Sequence, residues 1–135
     1  MSLFSIFDIS GSAMSAQNIR LNTTASNLAN SETVSSSESE AYRSRQPVFA
    51  TVFDRVNKDV AGVRVDGVVV SQSPIYREYA PENSLADEDG YIYKSNVNTV
   101  EEMANMISAS RAYQNSVEVM KTSKELLLNT LRLGQ

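Results

Sequence analysis

Residues 98–133 read NTVEEMANMISASRAYQNSVEVMKTSKELLLNTLRL and contain neither proline nor glycine. Within this run, one set of residues recurs at alternating spacings of three and four: Met103, Met106, Ser110, Tyr113, Val117, Met120, Lys124, Leu127 and Leu131. Such a repeat is typical of a helix that packs against a partner helix. At 1.5 Å per residue the run spans about 50 Å, which is more than a compact domain of this size requires. The pattern predicts a long, paired C-terminal helix.

Polar residues mark both ends of this helix. Thr99 with Glu102 has the spacing of a capping box, and Asn98 with Glu101 has the same spacing one residue earlier. The sequence does not choose between these two caps. Acidic residues near the start and basic residues near the end suit the helix dipole, and Gly134 is the predicted stop.

A second helical repeat lies near the N-terminus. It consists of Phe4, Phe7, Gly11, Met14, Asn18, Leu21, Ala25 and Leu28. The other faces carry hydroxyl and amide side chains, and residues 1–30 contain Asp8 and Arg20 as their only charged residues. Solvated helix faces usually carry Glu and Lys pairs, so this surface predicts a helix with neighbours on several sides. Burial against its own domain is the alternative explanation.

The two helices can pair with each other or with helices of other chains. Three polar residues, Asn18, Ser110 and Lys124, fall on the predicted seam. Polar seam residues cost stability but select register and partner. The alternative is that the seam is rotated slightly and that these three residues lie on its flank.

The segment between the helices, residues 31–97, contains all three prolines and the whole net charge of −4. Alternating β-branched and aromatic residues predict strands over 47–53, 63–71, 75–79 and 91–94. The serine- and glutamate-rich residues 31–41 are predicted to form a mobile loop. We therefore predict an α+β fold in three parts. Helical residues 1–30 and 98–135 pair in a coiled-coil-like arrangement, and residues 31–97 form a small β-rich segment.

The composition excludes several classes of function. The 135-residue chain has no cysteine and no histidine, so it lacks a thiolate nucleophile, a sulfur zinc site and the usual neutral-pH proton carrier. Its acidic balance argues against nucleic acid, and no apolar run approaches the ~20 residues that span a bilayer. The acidic turn at residues 87–90 lacks the later ligands of a calcium loop. We predict no enzyme, cofactor, metal or small-molecule substrate, and no direct membrane insertion.

Several stretches at the two ends of the chain resemble known signatures. IFDISGSAMSAQ at residues 6–17 and ASNLAN at residues 25–30 resemble the N-terminal signature of the flagellar axial rod and hook protein family. NVN at residues 96–98 and SASRAYQ at residues 108–114 resemble its C-terminal signature. Many members follow the first signature with a Thr-Pro-Gly-Tyr turn, which residues 31–41 replace in this chain.

The resemblance implies a structural subunit of the periplasm-spanning flagellar basal-body rod. No cleavable signal is readable, and the resemblance implies type III export without one. It also implies terminal helices packed side by side, an outward-facing middle segment, and helical assembly with further copies and with the rod proteins FlgB, FlgF, FlgG and FliE. A two-helix adaptor forming a closed dimer is the alternative. The residues expected to carry packing and assembly are Met14, Leu21, Asn27, Leu28, Asn30, Met103, Met106, Tyr113, Val117, Met120, Leu127 and Leu131.

Overall fold

The computed structural model describes residues 3–53 and 61–133. The side chain of Phe4 and residue Gly134, which carry sequence predictions, lie outside this description. The two predicted helices and the β-rich middle segment are present, so the α+β prediction is confirmed. The described elements are α1 (Leu3–Ala29), β1 (Val34–Ser35), β2 (Arg45–Phe53), β3 (Ala61–Val70), β4 (Tyr76–Tyr79), β5 (Tyr91–Lys94) and α2 (Thr99–Leu133).

Of the two caps that the sequence offers for α2, the structure uses Asn98 rather than Thr99. The side-chain oxygen of Asn98 accepts hydrogen bonds from the amides of Val100, at 3.1 Å, and Glu101, at 3.3 Å. The carbonyl oxygen of Asn98 accepts the first helical bond, from the amide of Glu102 at 3.0 Å. Asn98 therefore satisfies amide groups that the first turn of a helix leaves without a partner.

Helix α1 packs against α2, β2 and β3. Asn27, near the end of α1, faces Glu102 at the start of α2, and Met14 lies near Tyr113 further along, so the two helices are antiparallel. Arg20 of α1 donates a hydrogen bond to the side-chain oxygen of Asn105 of α2, at 3.0 Å. Over their described residues, neither helix combines the length and the apolarity that crossing a membrane requires. The two helices thus form a long pair to which the rest of the chain is attached.

Strands β2 and β3 form an antiparallel hairpin that lies along α1. Their register shifts between Val48 and Phe49, which leaves Asp66 as the extra residue of a bulge in β3. The hydroxyl of Ser12 in α1 accepts a hydrogen bond from the amide of Val63 at 3.2 Å. A Cβ atom at Gly62 would lie 3.1 Å from that hydroxyl, so glycine permits the close approach of hairpin and helix.

A second, smaller sheet has the strand order β1-β5-β4, with both pairs antiparallel. Strand β1 lies within residues 31–41, which were predicted to be a mobile loop. Its two residues pair with β5, and the amide of Ser95 donates a 3.4 Å hydrogen bond to the carbonyl oxygen of Thr33. A two-residue strand has no sequence period, so the pattern could not predict it.

Among the residues that the structure describes, the buried apolar core is small. Its residues are Ala16, Ala41, Ile92, Val97 and Ala109. Many large apolar side chains of the described residues are exposed, above all on the hairpin and on α2. Much of this apolar surface is therefore not covered within one chain.

Candidate assembly surface

A polar cluster surrounds Asn27, which is 1% exposed. It stabilises the base of the helix pair, by which we mean the end where α1 finishes and α2 begins. Its side-chain oxygen accepts hydrogen bonds from the amide of Arg45 and the hydroxyl of Tyr42, both at 3.0 Å. Its side-chain nitrogen donates to the carbonyl oxygen of Arg45 at 2.8 Å and to the hydroxyl of Ser44 at 3.4 Å. The end of α1 is thereby joined to the start of β2.

The segment that leads into α2 is tied to the same place. Asn96 accepts a hydrogen bond from the amide of Ser44 at 2.7 Å, and its side-chain nitrogen donates to the carbonyl oxygen of Ser73 at 2.9 Å. Two asparagine side chains therefore fix the positions at which α1 ends, the hairpin begins and ends, and α2 begins. This base connects both helices to the middle segment through side-chain hydrogen bonds.

Glu102, in the first turn of α2, is buried in this cluster with 5% exposure. Burial raises the pKa of its carboxyl group, while hydrogen bonding by Asn27 and Thr24 acts in the opposite direction. Among the described residues, no lysine or arginine nitrogen lies within 4.0 Å of this carboxylate. The nearest basic neighbour on α1, Arg20, uses its guanidinium group to bond Asn105 instead.

The covered face of α2, which we call the inner seam, repeats at spacings of four and three. Its buried or half-buried members are Glu102, Met106, Ala109, Tyr113, Ser116, Met120, Ser123 and Leu127. Four of the predicted packing residues, Met106, Tyr113, Met120 and Leu127, lie on it. The positions between these four hold small or polar side chains, which hydropathy does not mark as packing residues. A small residue at every seventh position, from Ala109 to Ser123, is the signal that identifies them.

The remaining three predicted packing residues of α2 lie on an exposed flank beside the inner seam. Met103 is 56% exposed, Val117 is 40% exposed and Leu131 is 61% exposed. Ser110 and Lys124 occupy the same flank, which agrees with the alternative of a slightly rotated seam. On the opposite flank, Val119, Leu126 and Leu133 are also exposed. Helix α2 thus presents apolar side chains on both sides of the face that α1 covers.

Helix α1 contributes half-buried and exposed residues. Met14, Leu21 and Leu28 are half-buried, as is Asn30, which donates a 2.8 Å hydrogen bond to the carbonyl oxygen of Ser26 at the end of the helix. The outer stripe of α1, again spaced by three and four residues, is exposed and uncharged. It consists of Ser15, Asn18, Asn22, Ala25 and Ala29.

The hairpin presents a third exposed apolar surface. Seven of its valine and phenylalanine side chains are between 40% and 64% exposed: Val48, Phe49, Val52, Phe53, Val68, Val69 and Val70. Both strand edges carry features that disfavour pairing with a further strand. Pro47 lies on β2, and β3 has its bulge at Asp66, which forms a 2.9 Å ion pair with Arg64. The faces of the hairpin, rather than its edges, are therefore suited to contact.

The acidic turn before β5 uses its carboxylate to build the loop. Asp87 accepts hydrogen bonds from the amides of Tyr91, at 2.8 Å, and Asp89, at 3.0 Å, and from the hydroxyl of Tyr93, at 3.1 Å. The bond from Tyr91 is the main cause of its lowered pKa. Within the described ranges, no group of three acidic side chains is arranged to hold a metal ion.

Comparison with known proteins identifies the family. Residues 7–34 match the family described as flagella basal body rod protein, and residues 88–133 match the C-terminal family of flagellar basal body rod FlgEFG proteins. The chain is 47% identical to the flagellar basal-body rod protein FlgC of Salmonella typhimurium, over 135 residues and the full length of both. It is 48% identical to FlgC of Escherichia coli O157:H7 and 40% identical to FlgC of Buchnera aphidicola from Schizaphis graminum, again over both full lengths. The chain therefore belongs to the FlgC family of flagellar basal-body rod proteins and is a structural subunit of the rod.

Proposed function

We propose that this rod subunit assembles through the exposed surfaces of its terminal helices and passes torque to its neighbours through them. The observation that carries the proposal is the apolar flank of α2, where Met103, Val117 and Leu131 are 56%, 40% and 61% exposed. Exposed apolar side chains that recur on one flank of a long helix indicate a surface for a partner helix. Together with the inner seam, this flank accounts for all seven predicted packing residues of α2.

The distribution of charge supports an arrangement with helices inside and the middle segment outside. Residues 1–30 are neutral overall, as are residues 98–135, and residues 31–97 carry the whole net charge of −4. A surplus of one sign of charge leaves side chains without partners and is costly to bury, so residues 31–97 are the segment suited to face water. We assign residues 1–30 and 98–135 to assembly and residues 31–97 to the outer surface.

The exposed surfaces of the two helices differ in chemistry, which suits contacts that do not close on themselves. The outer stripe of α1 is uncharged and small, whereas the flanks of α2 carry large apolar side chains. Unlike surfaces on one subunit favour head-to-tail contacts, which build helical assemblies. Packing spread over many helix contacts makes such an assembly stiff without any single strong bond.

Other rod proteins, namely FlgB, FlgF, FlgG and FliE, are the proposed neighbours, together with further copies of this chain. The periplasm-spanning location and export without a cleaved signal belong to the same proposal. Membership of a rod family does not favour the alternative of a closed two-helix dimer.

A matched pair of substitutions tests the role of the α2 flank. Val117, on the flank, and Leu85, in the middle segment, are both apolar and similarly exposed, at 40% and 43%. We expect Val117→Glu to abolish swimming in a strain that lacks the native subunit, because a buried unpaired carboxylate disrupts packing. Leu85→Glu should leave swimming intact. Normal swimming with Val117→Glu, while the protein is exported, would contradict assembly through this flank.

A further inference from the structure

Two adjacent glutamates lie in the first turn of α2, and they differ in exposure. Glu101 is exposed, whereas Glu102 is 5% exposed and faces Thr24 and Asn27 of α1. Rod assembly through exposed helix surfaces makes no use of a buried carboxylate at the base of the pair. The cap of α2 is supplied by Asn98, so Glu102 is not needed to cap the helix either.

Charged groups from each neighbouring element surround a cavity of about 400 Å³ beside Glu102: Arg20 from α1, Arg45 from β2 and Glu101 from α2. Arg20 bonds Asn105, and the guanidinium group of Arg45 lies over the ring of Tyr42, 5.6 Å from its centre. Both cations are thus engaged with other groups. The cavity gives water and protons a route to a carboxyl group that is itself almost covered.

We propose that Glu102 is a proton-sensitive contact, which we call the clasp. It stabilises the packing of α1 against α2 at the base of the pair when it is protonated, and it weakens that packing when it is ionised. The proposal depends on the position of the carboxyl group between the helices, at the place where α1 ends and α2 begins. A buried carboxylate whose neighbouring cations are bonded to other groups opposes closure of this interface, and the neutral acid removes that opposition.

The direction of the pH effect follows from linkage. Burial raises the pKa of folded Glu102 above the ordinary glutamate value of 4.5, and the charge of Glu101 acts in the same direction. The hydrogen bonds from Asn27 and Thr24 and the charge of Arg20 act against this rise. A raised pKa means that the folded helix pair binds the proton more tightly than the unfolded chain does. The stability that the proton on Glu102 gives the folded helix pair is complete below the ordinary pKa. It is lost as pH rises through the raised pKa.

The test uses the full-length chain and two substitutions that remove the same charge. Glu102→Gln replaces the clasp with a neutral group of similar shape, and Glu101→Gln makes the same change at the exposed neighbour. Amide hydrogen exchange over residues 20–28, corrected for intrinsic rates, is compared at pH 4 and pH 7.5, which lie on either side of the ordinary and raised pKa values. The unmodified chain and Glu101→Gln should be several-fold better protected at pH 4, and Glu102→Gln should be equally protected at both values.

A pH dependence that persists in Glu102→Gln, or that disappears in Glu101→Gln, would overturn the proposal. A second measurement on the unmodified chain stands even where a variant fails to fold. The side-chain carboxyl carbon of Glu102, followed by NMR during titration, should show its inflection above pH 4.5, the ordinary value. An inflection at or below that value would overturn the clasp directly. Neither measurement depends on the assembly surface proposed above, so the two proposals fail independently.

Discussion

The side chain of Asn27 pairs with the backbone of Arg45 at two points. Its oxygen accepts from the amide of Arg45 at 3.0 Å, and its nitrogen donates to the carbonyl oxygen of the same residue at 2.8 Å. The two residues are 18 positions apart, so this bond closes the route from the end of α1 back to the hairpin. A carboxamide supplies both a donor and an acceptor, which a carboxylate of the same size does not.

Asn27→Asp should therefore destabilise the chain by at least about 2 kcal/mol, because it removes the donor and buries a charge beside Glu102. Asn22→Asp is the matched control, since Asn22 is exposed on the same helix. Its effect should stay within about 0.5 kcal/mol. Urea unfolding of both full-length variants measures the difference. Equal midpoints for the two variants would show that the Asn27 bonds do not hold the base together.

Gly90→Ala should cost about 1–3 kcal/mol, because this residue has a φ of +84° that side chains disfavour. A Cβ atom there would also lie 2.9 Å from the Tyr79 ring and disturb its edge-to-face packing on Tyr91. Gly67 has open space around its Cβ position. Gly67→Ala should leave the unfolding free energy unchanged or raise it by up to about 1 kcal/mol. A Gly90→Ala variant as stable as Gly67→Ala would contradict the turn geometry.

The pKa of Asp87 should be found below the ordinary aspartate value of 3.8, since three hydrogen bonds favour its charged form. The ionised carboxylate of Asp87 therefore stabilises the fold at pH values above the ordinary pKa. This stabilisation is lost as pH falls through the lowered pKa. During acid titration, the NMR shift of the Tyr91 amide should show an inflection below pH 3.8. Asp87→Asn should remove the inflection, whereas Asp89→Asn, at an 80% exposed side chain, should keep it. An inflection at or above 3.8 would refute the assignment.

The helices could be predicted from sequence because their patterns are long and repeat many times. Strand β5, whose bounds match the predicted residues 91–94, was predictable because it carries aromatic residues and follows a turn signal. Strand β1 was not, since its two residues are held by pairing with β5 and by the bond between Ser95 and Thr33. Because such contacts join residues far apart in the chain, the local sequence pattern does not indicate them.

The inner seam of α2 could be predicted only in part, for a physical reason. Hydropathy identifies four residues of the seam, namely Met106, Tyr113, Met120 and Leu127. It also selects Met103, Val117 and Leu131, which lie on the flank. A small side chain gives a weak hydropathy signal even where it is fully covered, as Ala109 is. Asn27 is itself among the expected packing residues, but its partners could not be predicted from spacing, because they lie in residues 42–45 and at Glu102.

Ala109, which is fully covered, tests how closely the two helices approach. The bond between Arg20 and Asn105 sets the antiparallel register, and the same register places Ala109 opposite Ala16, which is 2% exposed. We expect Ala109→Leu to destabilise the chain by about 1–3 kcal/mol, because a larger side chain at a close approach forces the helices apart. Ala104→Leu, at an exposed position of α2, makes the same change in volume and in helix propensity, so its effect should stay within about 0.5 kcal/mol. Thermal or urea unfolding of the two variants gives the comparison. If the Ala109 variant is as stable as the Ala104 variant, α1 and α2 are not in close contact at this level, and the inner seam does not continue through it.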